Sequence, residues 1–299
     1  MNMKVALCQF TPGVGAEQIE NNKRKVREMI EKAMSQDYKP DLIMLPECWS
    51  AELDMSKHAK LSAVEQTDLC EETLDGGCVT MLQTLAKKHH VWISGGGLPL
   101  RKADGKRYNS HVVINREGEI AEVYDKSHLC EWVGENDCYA YGTGPKPVET
   151  EFGIIAPLLC YDIRFEELIR SYCAGGAKFL LVPASFATNL NQWRVLIQAR
   201  AIENQMFVLA CGTCGENPPE YKGKPYKMDD AGQQIIDEDF IHYMGHSMIV
   251  DPEGRILAEV GDEECILTAE LDTDRVDQVR RGVSYINSLR PQIYTCYSV

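Results

Sequence analysis

Two stretches in opposite halves of the chain follow one pattern, and this internal repeat constrains the fold more than any other feature. His111-Val-Val-Ile-Asn-Arg-Glu-Gly-Glu-Ile-Ala-Glu-Val123 parallels Ser247-Met-Ile-Val-Asp-Pro-Glu-Gly-Arg-Ile-Leu-Ala-Glu-Val260, and each reads as a hairpin turning at a Glu-Gly pair. Gly118 and Gly254 are 136 residues apart, and Leu42-Ile-Met-Leu-Pro46 matches Phe179-Leu-Leu-Val-Pro183 at an offset of 137. Val91-Trp-Ile-Ser-Gly95 matches Phe207-Val-Leu-Ala-Cys211 at only 116, so the second half carries about 20 extra residues after that strand. They fall in the Pro-, Gly-, Lys- and Asp-rich stretch Gly215–His242. Other strand-like runs are Val5–Phe10, Ile154–Leu159 and Ile266–Leu271, with amphipathic helical patterns between several strands. Two halves of strand, helix, strand, helix, strand and hairpin predict an α/β fold. Two sheets would pack about a pseudo-twofold axis with helices on the outer faces, making one four-layer domain over residues 1–299.

Composition narrows the function classes. Thirty-one Lys and Arg against 45 Asp and Glu leave a net charge of −14, which argues against nucleic acid and anionic membrane as partners. No apolar run reaches the roughly 18 residues of a spanning helix, and Met1–Phe10 is of strand length rather than a signal peptide. Twelve Cys are too few for a disulfide scaffold, so the chain reads as a cytoplasmic protein with reduced, mostly core cysteines. Cys211-Gly-Thr-Cys214 has metal-site spacing without a second pair, and is expected to be a core and a turn cysteine. Gly95-Gly96-Gly97 is expected to be a tight turn, because no Lys-Ser/Thr and helix follow to make a phosphate cradle.

Three segments put a reactive side chain where a strand runs out: Leu45-Pro46-Glu47, Tyr124-Asp125-Lys126-Ser127-His128-Leu129, and Leu159-Cys160-Tyr161-Asp162-Ile163-Arg164-Phe165. The three residue types suit one chemistry. A cysteine attacks as thiolate, a buried glutamate can take its proton, and a lysine can hold the oxyanion formed on a carbonyl. The Tyr161 N–H, next after the nucleophile, is a natural second oxyanion donor.

Taken together and in order, these motifs resemble the nitrilase superfamily of carbon–nitrogen hydrolases. The resemblance continues in Ala199-Arg-Ala-Ile-Glu-Asn204 and Gly245-His-Ser247, and runs from Val5 to Tyr294. It implies an αββα sandwich and the roles of base for Glu47, oxyanion-holding cation for Lys126 and nucleophile for Cys160. It also implies a second, orienting glutamate, for which Glu135, seven residues before Gly142, is nominated over Glu131. Acyl transfer through a thioester requires neither metal nor organic cofactor.

The stretch after Cys160, with Tyr161-Asp162, and the run Asp251–Arg290 look most like the omega-amidase group. This implies a small-molecule substrate, an omega-amide of a dicarboxylic acid, with release of ammonia. The alternatives are an N-carbamoyl amino acid or ureido compound, a nitrile, and a non-catalytic binding protein of the same fold. A substrate carboxylate needs a cation; Arg164 is a candidate, although an ion pair with Asp162, Glu166 or Glu167 is the simpler expectation. Ser185 and Phe186, with Asn189, Gln192 and Trp193, are candidates for the pocket wall, and Gly215–His242 for its border. Pro157 suggests a bulge or an edge position for its strand. Relatives assemble as homodimers or larger rings, which implies a homo-oligomer through Phe165–Cys173 and the tail at about 282–299.

Overall fold

The computed structural model describes residues 1–187, 190–218, 221–222, 227–230, 234–235 and 239–294. In chain order the strands are β1 (Asn2–Gln9), β2 (Leu42–Met44), β3 (Trp92–Arg101), β4 (Arg107–Ile114), β5 (Ile120–Asp125), β6 (Val148–Thr150), β7 (Gly153–Pro157), β8 (Phe179–Ala184) and β9 (Phe207–Gly212). They continue with β10 (Cys214–Asn217), β11 (Lys227–Met228), β12 (Gln234–Ile235), β13 (Ile241–Met244), β14 (Met248–Val250), β15 (Ile256–Glu259) and β16 (Cys265–Asp272). The helices are α1 (Ile19–Ser35), α2 (Ala63–Cys70), α3 (Gly77–His89), α4 (Glu135–Cys138), α5 (Glu166–Ala174), α6 (Leu190–Asn204) and α7 (Arg275–Gly282).

Two six-stranded sheets run in the orders β16-β1-β2-β3-β4-β5 and β15-β14-β9-β8-β7-β6. The repeat read from the sequence is a repeat of topology. In the first sheet β1, β2 and β3 are parallel, and β4 and β5 follow antiparallel. In the second, β7, β8 and β9 are parallel, and β14 and β15 follow antiparallel. Each sheet gains one antiparallel edge strand, β16 on β1 and β6 on β7. The extra residues of the second half supply the pairs β10–β13 and β11–β12 between β9 and β14.

Strand alternation sorts side chains between layers. Met3, Val5 and Leu7 of β1 join Phe179, Leu181, Phe207 and Leu209 in a core between the sheets. Ala6, Cys8 and Phe10 face the other way, onto Val26 and Ile30 of α1 and Val79 and Leu82 of α3. On the far side, Leu180 and Val182 meet Leu168, Ile169 and Tyr172 of α5 and Trp193 and Ile197 of α6. The central strands are buried on both faces, so they read as continuous apolar runs rather than alternating ones.

Two expectations need correction. Gly95-Gly96-Gly97 is not a tight turn; it lies inside β3, where the register to β4 shifts between Ser94 and Gly97 as a bulge. Gly96 has φ +66°, and a Cβ there would stand 1.9 Å from the Pro46 carbonyl oxygen. The strand carrying Pro157 is neither bulged there nor at an edge, since β7 lies between β6 and β8. The Leu158 N–H donates to Leu181 O at 3.2 Å, so the Pro157 nitrogen faces the β6 side; β6 begins opposite Ile155 and needs no donor beyond it. Of the segment expected at a subunit contact, Leu168, Ile169, Tyr172 and Cys173 face the chain's own core, and Glu167, Ser171 and Ala174 are the exposed residues of α5.

Candidate active site

The ends of strands β2, β5 and β7 and the start of α4 converge on one cavity of about 450 Å³, whose lining includes Glu47, Lys126, Cys160 and Glu135. Glu47 follows β2 and is held in register with β3 by a parallel bridge to Gly97 and by Cys48 N–H donating to Gly97 O at 3.1 Å. Cys48 then takes φ +54°, turning the chain away and leaving the Glu47 side chain in the cavity. A Cβ on Gly97 would press on Glu47 Cγ at 2.9 Å and Asn109 Oδ1 at 2.7 Å, so this glycine makes room for the acid.

Lys126 ends β5's run, its backbone N–H bound to Asn109 O at 2.9 Å. Its Nζ lies 2.9 Å from Glu47 Oε1 and 2.7 Å from Glu135 Oε1, with the lysine and Glu47 each 2% exposed. Asn109 Nδ2 donates to the same two oxygens, at 2.9 and 3.2 Å. Glu135 opens α4, and its second oxygen accepts the Cys130 N–H at 2.7 Å. Glu131, the competitor for this place, is exposed on the outer surface.

Cys160 begins a short 3-10 turn, Cys160–Arg164, directly after β7, and takes φ +39°. Such a conformation is strained for a side-chain-bearing residue and persists where surroundings over-determine it. Asp162, fully buried, does this: its carboxylate accepts from Leu159 N–H at 3.2 Å, Tyr124 O–H at 2.6 Å and His128 N–H at 2.9 Å. One acid thereby ties the turn of Cys160 to the segment of Lys126. His111 adds a tie between sheets, bonding Leu158 O at 3.0 Å and Ser94 Oγ at 2.7 Å.

The electrostatics follow from burial and from who faces whom. Burial alone would push the Glu47 carboxyl up, but Lys126, the Ser185 N–H at 3.0 Å and the Cys160 thiol outweigh it and hold it below its ordinary value. Burial likewise opposes the Lys126 charge, and the carboxylates of Glu135 and Glu47 overcome it, raising the ammonium well above its usual value. The Cys160 thiol goes well up, first from burial and then from the Glu47 charge beside it. The arrangement is a thiol, not a thiolate, hydrogen-bonded to an ionised carboxylate that one ammonium shares with a second carboxylate.

The remaining expected residues divide. Tyr161, Arg164, Ser185, Phe186 and Gln192 line the cavity. Arg164 makes no ion pair with Asp162, Glu166 or Glu167, contrary to the simpler expectation. Asp162 is taken by Tyr124 and His128, and Glu166 by Arg170 and Arg200. Its guanidinium instead reaches Gln192 Oε1 at 3.2 Å and lies over the rings of Phe186 at 5.3 Å and Tyr161 at 5.7 Å. Trp193 is not a wall residue; it is fully buried against Phe186. Asn189 lies outside the described residues, as does much of Gly215–His242, of which Ile241 reaches the cavity, as does Tyr243 just beyond the segment. Cys211 and Cys214 are both buried free thiols. Among the described residues no group of three or more His, Cys, Asp or Glu is arranged to hold a metal ion, and no helix is long and apolar enough to cross a membrane. Asn109 and Glu52 line or support the site without having stood out in the sequence. Asn109 precedes the apolar run of its strand, and Glu52 sits in a polar-looking segment.

The profile of a family described as carbon–nitrogen hydrolase matches residues 4–281. A 2-oxoglutaramate amidase of Bacillus subtilis (strain 168) is 32% identical over 98% of this chain and 100% of its own length. A deaminated glutathione amidase of Mus musculus is 32% identical over 77% of this chain and 69% of its own. Among solved structures, Saccharomyces cerevisiae Nit3, a member of branch 10 of the nitrilase superfamily, superposes with a TM-score of 0.75 at 26% identity, covering 94% of each chain.

Proposed function

Because the chain belongs to the carbon–nitrogen hydrolase family, we propose that it is an amidase that cleaves a small linear amide, an omega-amide of a dicarboxylic acid, through a thioester on Cys160. The observation that carries this is the Cys160 thiol hydrogen-bonded to Glu47, a carboxylate kept ionised by Lys126 at 2.9 Å. Burial keeps the resting sulfur protonated, so attack and proton transfer go together: Sγ adds to the amide carbonyl carbon as Glu47 takes the thiol proton. The carbonyl electron pair moves to oxygen, where Lys126 Nζ and the Tyr161 N–H receive it. Glu47 returns the proton to nitrogen, the C–N bond breaks, and ammonia leaves an acyl thioester behind. Water then gives a proton to Glu47 and adds to the thioester carbon; the C–S bond breaks and the sulfur regains its proton. Glu135 and Asn109 fix Lys126 and Glu47 throughout.

Arg164, with no carboxylate partner among the described residues, is the cation for the substrate's own carboxylate. The name of the Bacillus subtilis relative makes 2-oxoglutaramate the first compound to test. The protein works as a homo-oligomer, with the exposed side chains of Val283, Tyr285 and Ile293 in the C-terminal segment at the contact.

Ammonia release by the wild type and by Cys160→Ala tests the assignment, on 2-oxoglutaramate, glutaramate, an N-carbamoyl amino acid, a short aliphatic amide and a nitrile. Turnover of the dicarboxylic monoamides, abolished in the variant, is expected. Turnover of only another class moves the substrate and keeps Cys160; turnover that survives in Cys160→Ala refutes the mechanism.

A further inference from the structure

Glu52 is a buried acid on the cavity wall that the mechanism above does not use. It is 5% exposed, and its backbone is fixed by Gly15 N–H donating to Glu52 O at 2.9 Å and by a bridge to Val14. Its Oε2 accepts from Ser185 Oγ at 3.2 Å and its Oε1 from Leu53 N–H at 3.3 Å, and Tyr243 of β13 hydrogen-bonds it as well. The titratable groups that face it are Glu47 and Cys48 from its own segment, Tyr243 from β13 and Cys70 from α2. None is a cation, and no cationic group among the described residues pairs with it. A carboxylate buried without a cation is costly, and the usual resolution is to stay protonated. Burial, then the charge of Glu47, pushes this carboxyl up to about 8.

The cavity therefore has two polar stations besides the reacting cluster. Arg164, over Phe186 and Tyr161, suits a carboxylate. Around them stand apolar walls from Leu53, Met55, Val133 and Ile241. We propose that Glu52 is a specificity-determining residue whose carboxylic O–H donates to an uncharged oxygen acceptor on the acyl chain, so that an acyl chain carrying such an oxygen is preferred over one that lacks it. This rests on the amidase assignment and deepens it. A methylene in place of a 2-oxo group leaves the acid's donor without an acceptor. A 2-ammonium group requires Glu52 to ionise in a cavity that disfavours the charge.

The test compares kcat/KM for 2-oxoglutaramate, glutaramate and glutamine with the wild type, Glu52→Gln and Glu52→Leu. Both members of each ratio are measured on one sample, so partial misfolding cancels. The wild type is expected to favour the oxo over the deoxy amide. Glu52→Leu is expected to reduce that preference by roughly tenfold, the value of one well-made hydrogen bond. Glu52→Gln, whose amide still donates, is expected to retain most of it. Above about pH 8, where Glu52 loses its proton, the wild-type preference falls while that of Glu52→Gln stays flat. An unchanged ratio in Glu52→Leu, or a wild type that prefers glutamine, overturns the proposal and leaves the amidase assignment standing. Failure of the wild type to turn over any of the three amides overturns both.

Discussion

Lys126 carries the buried carboxylate of Glu47 and the half-buried one of Glu135, and replacing it by methionine measures what that sharing is worth. Met keeps the length and the apolar stem but removes the ammonium that lies 2.9 Å from Glu47 and 2.7 Å from Glu135. Breaking a buried ion pair by deleting one partner typically destabilises by about 3–5 kcal/mol, because the other charge is left uncompensated. For a chain this long each kcal/mol shifts the melting temperature by about 2 °C, so a fall of about 6–10 °C is expected near pH 8. The pH dependence carries the sharper test. In the wild type Glu47 is held below its ordinary value, so its stabilisation is present at neutral pH and lost only as pH falls through the acid range. In Lys126→Met the two acids face each other in a buried site, and one must bind a proton that it gives up on unfolding. The deficit of the variant then grows with pH above about 4.3, at up to about 1.4 kcal/mol per unit while that proton is held. Urea unfolding at pH 5 and pH 8 should therefore give the larger loss at pH 8, and adding Glu135→Gln should recover part of it. A loss below about 1 kcal/mol at pH 8, or equal losses at both values, would refute the account of Lys126 as a shared counter-charge.

Three further outcomes are expected. His111, buried between Ser94 and Leu158, has its titration pulled down by burial from about 6.5 to about 4, so the stability it lends as a neutral ring is complete above about pH 6.5 and is lost as pH falls toward 4. The loss amounts to about 3 kcal/mol, and unfolding curves of His111→Asn should be flatter over that window. Gly96→Ala drives a Cβ to 1.9 Å from the Pro46 carbonyl oxygen at φ +66°, and should lower stability by about 2–4 kcal/mol and cut activity through Glu47, both measurable on one purified sample. Arg164→Met should raise KM for a carboxylate-bearing amide by about tenfold with a smaller change in kcat, and a similar KM effect on butyramide would sink its role as carboxylate partner.

Much of the fold is legible in the chain because burial on both faces writes itself as apolar runs. β2, β8 and β9 and the Val5–Cys8 part of β1 are apolar runs without a charged residue, and the Glu-Gly hairpins mark where each half turns. Short polar strands escape that signal: β6 and β10 have little apolar character and exist because a neighbour offers an edge. The three glycines of β3 show how local chemistry misleads. Read alone they are a turn; in place they are a bulge, because Pro46 O, Trp49 and Glu47 Cγ crowd the strand and leave no room for side chains.

The same distinction separates the parts of the site that could be read from those that could not. Glu47, Lys126 and Cys160 each sit just past a strand whose end is visible locally, so three ordered motifs mark them, whereas Glu135 opens a short helix in a polar loop and is marked only by the family resemblance. The ion pair expected of Arg164 does not form: three acids lie near it in sequence, but Asp162 serves Tyr124 and His128, and Glu166 serves Arg200 and Asn204. Freed from those pairs, the guanidinium faces the cavity. Glu52 is the reverse case. Nothing beside it in the chain announces burial; that comes from Ser185 and Tyr243, more than 130 residues away. A reacting cluster can be encoded at strand ends, which are local features. Substrate choice depends on wall residues whose charge state is set by groups distant in sequence, so it becomes readable only when both sheets are in place.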